Sequence, residues 1–348
     1  MTTVREIADF AGVSISTVSL VLNEKPGVSD SMRQVVMDAK SELETRRVLS
    51  AREDDAPTNG ARNMKMLSLM VLHPPILRSS EVFSDVLQGI QTAAEQSNIQ
   101  LRLVMNDPQA TENHVAHIYL ADDNLRPDGV LVFGAQKHEP LIEVIAERGI
   151  PCVVLGREAT KYAVSGIERD EMKHAYALTQ HLIELGHRKI AFVGGDDRYD
   201  FTVNRRTGYQ QALQDAEIVP AEAWCVLGDG ADATSHILTH CADVTALVFV
   251  NDSYAAEGLD VIAEHGRVIP DTLSVASFDD TSIAQLHQPA LTSIAYNRAT
   301  EGQWAVKMLL DQIRFPYVSR VHYVFDAELI VRESTAPPVQ IVQKVEKD

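Results

Sequence analysis

A chain of 348 residues, 45% hydrophobic and 23% charged, is long enough for more than one packed core. Its 49 Asp and Glu against 31 Lys and Arg give a net charge of −18, which argues against a protein that coats nucleic acid or an anionic membrane by bulk charge. Cys152, Cys225 and Cys241 stand in no CxxC spacing, so neither a disulfide scaffold nor a zinc site is expected, and neither is a signal peptide or a membrane-spanning apolar run; the chain reads as cytoplasmic.

The first elements lie between Val4 and Asn23. Thr3 stands three residues before Glu6, the spacing of a capping box, and Val4, Ile7, Ala8 and Ala11 then form one apolar helical stripe. Gly12 suits a sharp turn because a residue without Cβ tolerates positive φ. Ser14 is the next N-cap, and Val18, Val21 and Leu22 form a second buried stripe. That leaves Ile15, Ser16, Thr17, Ser19, Leu20 and Asn23 outward. Small hydroxyl side chains can lie against a duplex while donating to phosphates and base edges, although an ordinary helical hairpin has the same spacing. After the turn Lys25-Pro26-Gly27, Ser29 and Asp30 start a third helix with Met32, Val35, Val36, Ala39 and Leu43 on one face. Three inward stripes close a small all-α unit over residues 1–47. Residues 1–65 hold nine Lys and Arg against ten Asp and Glu, net −1, so the rest of the chain carries −17 and the acid sits away from the proposed reading face.

Residues 48–66 read as a linker, with the acid cluster Glu53-Asp54-Asp55 and the breakers Pro57, Asn59 and Gly60. From Leu67 the pattern alternates. Strands are expected at Leu67–Leu72, Ile99–Met105, Gly129–Phe133 and Cys152–Leu155, with helices at Phe83–Asn98 and Leu141–Arg148. A second series follows: helices Met172–Leu185, Arg205–Ala216, Ala233–Cys241 and Ser253–His265, and strands Ile190–Val193, Trp224–Leu227, Ala246–Val250 and Leu273–Phe278. Short, wholly apolar strands separated by helices indicate parallel sheets covered on both faces, and therefore two doubly wound α/β lobes. Ligands of such sheets sit beyond the carboxyl ends of the strands.

No catalytic motif emerges: there is no GxSxG, HExxH, GxGxxG or Walker sequence, so no enzyme is expected. Gly194-Gly195-Asp196-Asp197 lacks the Lys and Ser or Thr of a phosphate loop, and its acid pair would repel phosphate. His181 and His187 lack metal-ligand spacing, and no metal or cofactor is expected.

The run AGVSISTVSLVLN (11–23) followed by VSDSMRQVVMDAKSEL (28–43) resembles the headpiece of the LacI/GalR family of bacterial transcriptional repressors. GHRKIAFVGG (186–195), RRTGYQQAL (205–213), ALVFVND (246–252), IPDTLSVASFDD (269–280) and PALTSIAYN (289–297) stand in the order and spacing of that family's core. The resemblance implies a helix-turn-helix headpiece and a periplasmic-binding-protein-like core at 67–336. One lobe would hold about 67–164 and 296–324, the other about 165–295 and 325–336, with a tail at 337–348.

It also implies a homodimer whose two second helices enter the major grooves of a near-palindromic operator. On that reading Ser16 and Leu20 set sequence preference, where many relatives have Arg in place of Leu20. Ile15 and Thr17 share that face, and Ser14, Ser19, Asn23, Ser29 and Arg33 hold phosphates, with Thr3 at the edge of the interface. In the linker the family's Tyr-x-Pro-Asn signature is missing; a residual hinge helix with Leu49 as a minor-groove wedge and a plain flexible linker both fit. The tail has no leucine heptad helix, so a dimer rather than a tetramer is expected.

For the effector the family positions are Arg205, Asn251 and Asp279 in the second lobe, His73, Phe83 and Arg157 in the first, and Tyr296 at the crossover. Asp252 and Asp280 read instead as turn residues. The effector is expected to be a carbohydrate or related metabolite of open identity; a sugar is not assumed, since Gly230 stands where some relatives place an aromatic that stacks on sugar rings. Effector binding would change the lobe arrangement and so operator affinity, by induction or by co-repression. A solute-binding protein of a transport system, using the same two lobes, is the alternative.

Overall fold

The computed structural model describes residues 4–22, 28–29, 32–33, 35–37, 39–40, 67–73, 81–106, 119–120, 122, 125–157, 159, 161–315 and 319–339. The chain divides into two compact units, Met1–Lys65 and Met66–Asp348.

In the first unit, helix α1 (Val4–Ala11) and helix α2 (Ile15–Leu22) are followed by helical residues at 32–33, 35–37 and 39–40. Gly12 at φ +64° ends α1, and Val13 N–H reaches back to the Ala8 carbonyl at 3.0 Å, the six-to-one bond of a Schellman turn. Ser14 caps α2 as expected, its Oγ accepting from Thr17 N–H at 3.1 Å. Ile7, Ala8, Val18, Val21, Val36 and Ala39 form the core of this unit. Within it Met32 and Val35 are exposed, against expectation: Val36 and Ala39, one helical turn apart, turn the buried side of the third segment away from them. Thr3 and its capping box, Leu43, Asn23 and Leu49 lie outside the described residues.

The second unit contains two six-stranded sheets among the described residues. Sheet one runs β2 (Gln100–Met105), β1 (Ser68–His73), β3 (Gly129–Phe133), β4 (Cys152–Leu155), β5 (Ser165–Arg169) and β11 (His322–Phe325). Sheet two runs β7 (Cys225–Val226), β6 (Ile190–Val193), β8 (Ala246–Phe249), β9 (Ser274–Asp279), β10 (Thr292–Ala295) and β12 (Glu328–Ile330). All neighbours pair in parallel except β10 with β12. Central strands are buried on both faces, as wholly apolar sequences such as GVLVF require, whereas the edge strand β2 keeps exposed Leu103 and Met105.

Helices α3 (Glu81–Gln96), α4 (Pro140–Glu147) and α10 (Arg298–Arg314) belong to the first lobe, and α5 (Glu171–Glu184), α6 (Asp200–Asp215), α7 (Gly230–His240), α8 (Asp252–Glu264) and α9 (Ser282–Leu286) to the second. The chain passes between lobes three times: from β5 into α5, from β10 into α10, and from β11 into β12. The expected lobe boundary at 164 needs correction, because β5 pairs with β4 from Val153↔Ser165 onward and so extends the first sheet. The crossover falls at Asp170, whose side chain accepts from Lys173 N–H to cap α5.

Close helix packing explains particular glycines. A Cβ on Gly208 of α6 would lie 2.1 Å from the Met172 carbonyl oxygen of α5, and one on Gly302 of α10 would lie 2.2 Å from the Val86 carbonyl oxygen of α3. His187 is buried at the start of the second lobe: Nδ1 meets Thr245 Oγ1 at 2.9 Å and Nε2 meets the Ala336 carbonyl at 2.9 Å. Its role is structural, and burial holds its pKa below the ordinary histidine value. Cys152 and Cys241 are buried thiols, Cys152 pushed up to about 12 by burial, and Cys225 is half-buried.

Candidate effector cleft and nucleic-acid interface

In both sheets the strand order reverses beside the first strand, between β1 and β3 and between β6 and β8, which opens a crevice at the carboxyl ends of the strands. A cavity of about 340 Å³ occupies the gap between the lobes. Lobe one supplies Val82 at the start of α3, Phe133–Ala135 after β3 and Leu155–Arg157 after β4. Lobe two supplies Asp196, Tyr199–Phe201 and Arg205 after β6, then Asn251, Ser253, Tyr254 and Glu257 after β8, and Asp279 at the end of β9. Arg169 and Glu171 enter from the crossover.

The lobes touch across this cavity. Arg157 of lobe one pairs with Asp200 of lobe two at 3.0 Å, and Lys137 N–H donates to the Arg198 carbonyl at 2.8 Å. Glu81 accepts the Ser282 N–H at 2.9 Å and its hydroxyl at 2.5 Å. The domain arrangement is therefore a closed one, fastened by the buried Arg157–Asp200 pair, by Arg298 at the head of α10 facing Asp279 of β9 at 3.7 Å, and by polar contacts nearer solvent.

The floor is a buried charge array. Arg205 donates to Glu171 at 2.7 Å and to the Val250 carbonyl at 2.6 Å, with the Tyr296 hydroxyl at 3.4 Å and the Asp279 carboxylate at 3.6 Å. Burial would raise the Glu171 carboxyl, but the Arg205 guanidinium, Arg169 and the Tyr296 hydroxyl outweigh it and hold it below the usual carboxylate range. Burial likewise opposes the Arg205 charge, and Glu171 reverses that, so the guanidinium stays charged. Arg169 sits 4.3 Å above the Tyr296 ring and pairs with Glu301 of α10, which ties the β5–α5 passage to the β10–α10 passage.

Of the effector positions expected from sequence, Arg157, Arg205, Asn251 and Asp279 line the cavity. Asn251 also caps α8, its Oδ1 accepting from Tyr254 N–H at 3.1 Å, which leaves its amide N–H₂ as the donor end. Asp279 takes φ +101°, a left-handed conformation, and its carbonyl accepts from Arg298. His73, Phe83 and Tyr296 do not line the cavity. His73 and Phe83 rings lie 4.5 Å apart, and Phe83 stacks behind Phe133 at 5.8 Å, so Phe133 is the aromatic that reaches the cleft. Tyr296 lies under the arginines with its hydroxyl donating to Glu171 at 2.7 Å.

Sequence reasoning missed the aromatic wall. Tyr199 and Phe201 stack at 5.5 Å at the head of α6, and Tyr254 stands one turn into α8. A signal was present: each lies within a few residues of a position singled out after a strand, Tyr254 three beyond Asn251 and Phe201 four before Arg205. Gly230 opens α7, and a Cβ there would lie 2.4 Å from the Tyr254 carbonyl oxygen, so packing against α8 explains this residue.

Asp280 behaves as the expected turn residue, but Asp252 does not: it opens α8, and its buried carboxylate joins that helix to the segments around Ser277, Thr281 and Ser293. Asp252 is fully buried and accepts from Thr281 N–H at 2.7 Å, Thr281 Oγ1 at 2.8 Å and Ser293 Oγ at 3.1 Å, besides Ser277. Burial, with Asp279 nearby, pushes its carboxyl up to about 6. Asp280 pairs with Arg332 at 2.6 Å.

In the small unit, Ile15, Ser16 and Ser19 are exposed and Thr17 and Leu20 half-buried along one side of α2. The Ser14 hydroxyl lies 2.8 Å from both Ser16 Oγ and Thr17 Oγ1. Ser29 caps the third helical segment by accepting from Met32 N–H at 3.3 Å, and Arg33 donates to the Val21 carbonyl at the end of α2 at 3.3 Å. Among the described residues no group of His, Cys, Asp and Glu could hold a metal ion, and no helix is long and apolar enough to cross a membrane.

Residues 3–45 match the family model of bacterial regulatory proteins, lacI family, and residues 179–335 match that of a periplasmic binding protein-like domain. The chain is 29% identical to the HTH-type transcriptional regulator CelR of Thermobifida fusca, over 95% of this chain and 98% of that protein. It is 26% identical to the HTH-type transcriptional repressor PurR of Haemophilus influenzae (strain PittEE), over 96% and 98%. Its structure is similar to that of a transcriptional regulator CelR-cellobiose complex, with a TM-score of 0.72 at 27% identity, covering 96% of this chain and 100% of that one.

Proposed function

We propose that the chain is an operator-binding repressor of the LacI family of bacterial regulatory proteins, a cytoplasmic homodimer whose affinity for DNA is set by a carbohydrate held between its lobes. The observation that carries the reading is the joining, in one chain, of a capped helical pair with outward hydroxyls to a two-lobed body whose cavity is closed by contacts from both sides. The carbohydrate is supported by the aromatic faces of Phe133, Tyr199, Phe201 and Tyr254 beside arginine and carboxylate groups, the mixture that stacks on sugar rings and hydrogen-bonds their hydroxyls.

Ser16 and Leu20 read bases, Ile15 and Thr17 lie on the same face, and Ser14, Ser19, Asn23, Ser29 and Arg33 position phosphates, with Thr3 at the edge of the interface and Leu49 the candidate wedge beyond it. Arg157, Arg205, Asn251 and Asp279 contact the sugar, and Tyr296 holds the floor beneath it. The reading assigns no catalytic step. Because a ligand shifts a two-state equilibrium only by its differential affinity, a sugar that binds the closed lobes must change operator affinity by the same coupling that DNA exerts on sugar affinity.

Selection of the full-length chain against random duplexes, followed by gel shifts with and without sugars, tests this. An enriched near-palindrome whose binding changes with one sugar is expected; a chain that enriches no sequence in any sugar condition overturns the proposal.

A further inference from the structure

Resting on the reading of the cleft as a carbohydrate site, we infer that its ligand carries no negative charge: the cleft takes a neutral polyhydroxylated ring and rejects sugar acids and sugar phosphates. Each arginine that lines the cavity is already matched by a carboxylate of the protein. Arg157 faces Asp200 at 3.0 Å, Arg205 faces Glu171 at 2.7 Å, and Arg169 meets Glu301 at 2.8 Å. Beyond these pairs the second-lobe wall adds Asp196, which pairs with Arg198 at 2.7 Å, and Glu257, which accepts the Gly230 N–H at 2.8 Å. Five carboxylates (Glu171, Asp196, Asp200, Glu257 and Asp279) thus line the cavity beside three guanidinium groups, with Arg198 and Arg298 standing against Asp196 and Asp279, so that no lining guanidinium lacks a carboxylate of the protein.

The helix ends tell the same story. A bare helix N-terminus attracts anions, but α5, α6 and α8 each carry an acid in their first turn, Glu171, Asp200 and Asp252. An incoming phosphate or carboxylate would therefore have to displace one of these groups and leave it poorly solvated beside a second negative charge. A neutral ring faces no such conflict. Carboxylates accept its hydroxyls, and Tyr199, Phe201 and Tyr254 offer apolar faces to its C–H surface. Burial, reinforced by Glu257, Asp196 and Asp229, raises the Tyr254 hydroxyl above its ordinary value and keeps it a donor.

The test uses the full-length chain at low salt with a panel of neutral mono- and disaccharides, cellobiose included, each beside its uronate and its terminal phosphate, read by calorimetry. A neutral sugar should bind, and its anionic counterparts should bind at least about tenfold more weakly. Asp200→Asn, which releases Arg157 from its partner, should narrow that ratio by about tenfold, and Glu257→Gln should narrow it less; Glu257 is exposed, so this second variant keeps the test open if the first does not fold. An anionic form that binds as tightly as its neutral parent, or a ratio unmoved in a folded variant, overturns the inference while the carbohydrate reading stands. A chain that binds no sugar in either form overturns the carbohydrate reading and this inference with it.

Discussion

Arg157 and Asp200 meet 3.0 Å apart across the inter-lobe cavity, with side chains only 3% and 13% exposed. One belongs to the loop after β4 and the other to the first turn of α6, so the pair forms only when the lobes are shut. Arg157→Ala should therefore disfavour the closed arrangement by about 1–2 kcal/mol, a discount on a fully buried pair because the cavity reaches water. Sugar affinity should fall by about tenfold, and the radius of gyration of the ligand-free chain should rise in small-angle scattering. Unchanged values for both would show that the pair does not govern closure.

Glu81 and Ser282 fasten the lobes where both side chains are exposed, so the same logic predicts a smaller effect. Glu81→Gln should weaken sugar binding by no more than about fivefold, whereas Glu81→Ala, which removes both acceptor oxygens, should weaken it further. Calorimetry on the two variants orders them; the reverse order would count against a hydrogen-bonded fastening.

Asp252 gives a pH dependence of defined sign. Its carboxyl is raised from 3.8 to about 6 in the folded protein, so folding favours the protonated form. The contribution is fully present below the unfolded value near 4 and is lost as pH rises through about 6. Relative to Asp252→Asn, the wild type should gain about 2–3 kcal/mol between pH 7 and pH 4. Urea unfolding of both proteins at the two pH values measures it, and a constant difference between them refutes the assignment.

Gly208 allows α5 and α6 to cross with backbone almost in contact. Gly208→Ala places a Cβ 2.1 Å from the Met172 carbonyl oxygen, and since that obstacle is backbone the helices must separate. A loss of about 3 kcal/mol is expected, lowering Tm by about 5–10 °C. Thermal unfolding followed by circular dichroism would show it; an unaltered Tm would mean that the helices separate at little cost.

On the DNA side, Ser16→Ala should change which duplexes are enriched in selection. Arg33→Ala should weaken all of them by about the same factor and flatten the salt dependence. Because Arg33 also donates to the Val21 carbonyl, the folded state of that variant needs to be verified first. A shifted preference for Arg33→Ala would exchange the proposed roles.

The central strands were legible because burial on both faces demands uninterrupted apolar sequence: Gly129–Phe133, Cys152–Leu155 and Ile190–Val193 coincide with their expected bounds. Strand β10 was not, since TSIA owes its place to buried hydroxyls bonded to Asp252 and Arg332 rather than to apolar alternation. The short edge strands β11 and β12 carry too little burial to leave a pattern, and α6 begins five residues before its expected start because its first turn faces the cavity instead of a core. Arg205 and Asn251 could be found from their position after a strand. The carboxylates that neutralise the arginines could not, since Glu171 reaches Arg205 from 34 residues away in the chain.

The three crossings between the lobes mean that neither half is a contiguous stretch of sequence: α10 and β11, which complete the first sheet, are made only after the whole second sheet up to β10. A ribosome thus releases an unfinished amino-terminal half that must wait about 150 residues, from Arg169 to His322, for its last strand, with the β5 edge uncapped meanwhile. Splitting the gene at the cleft would yield two fragments, each missing a piece held by the other, so neither lobe can be expressed whole from one uninterrupted stretch of the gene.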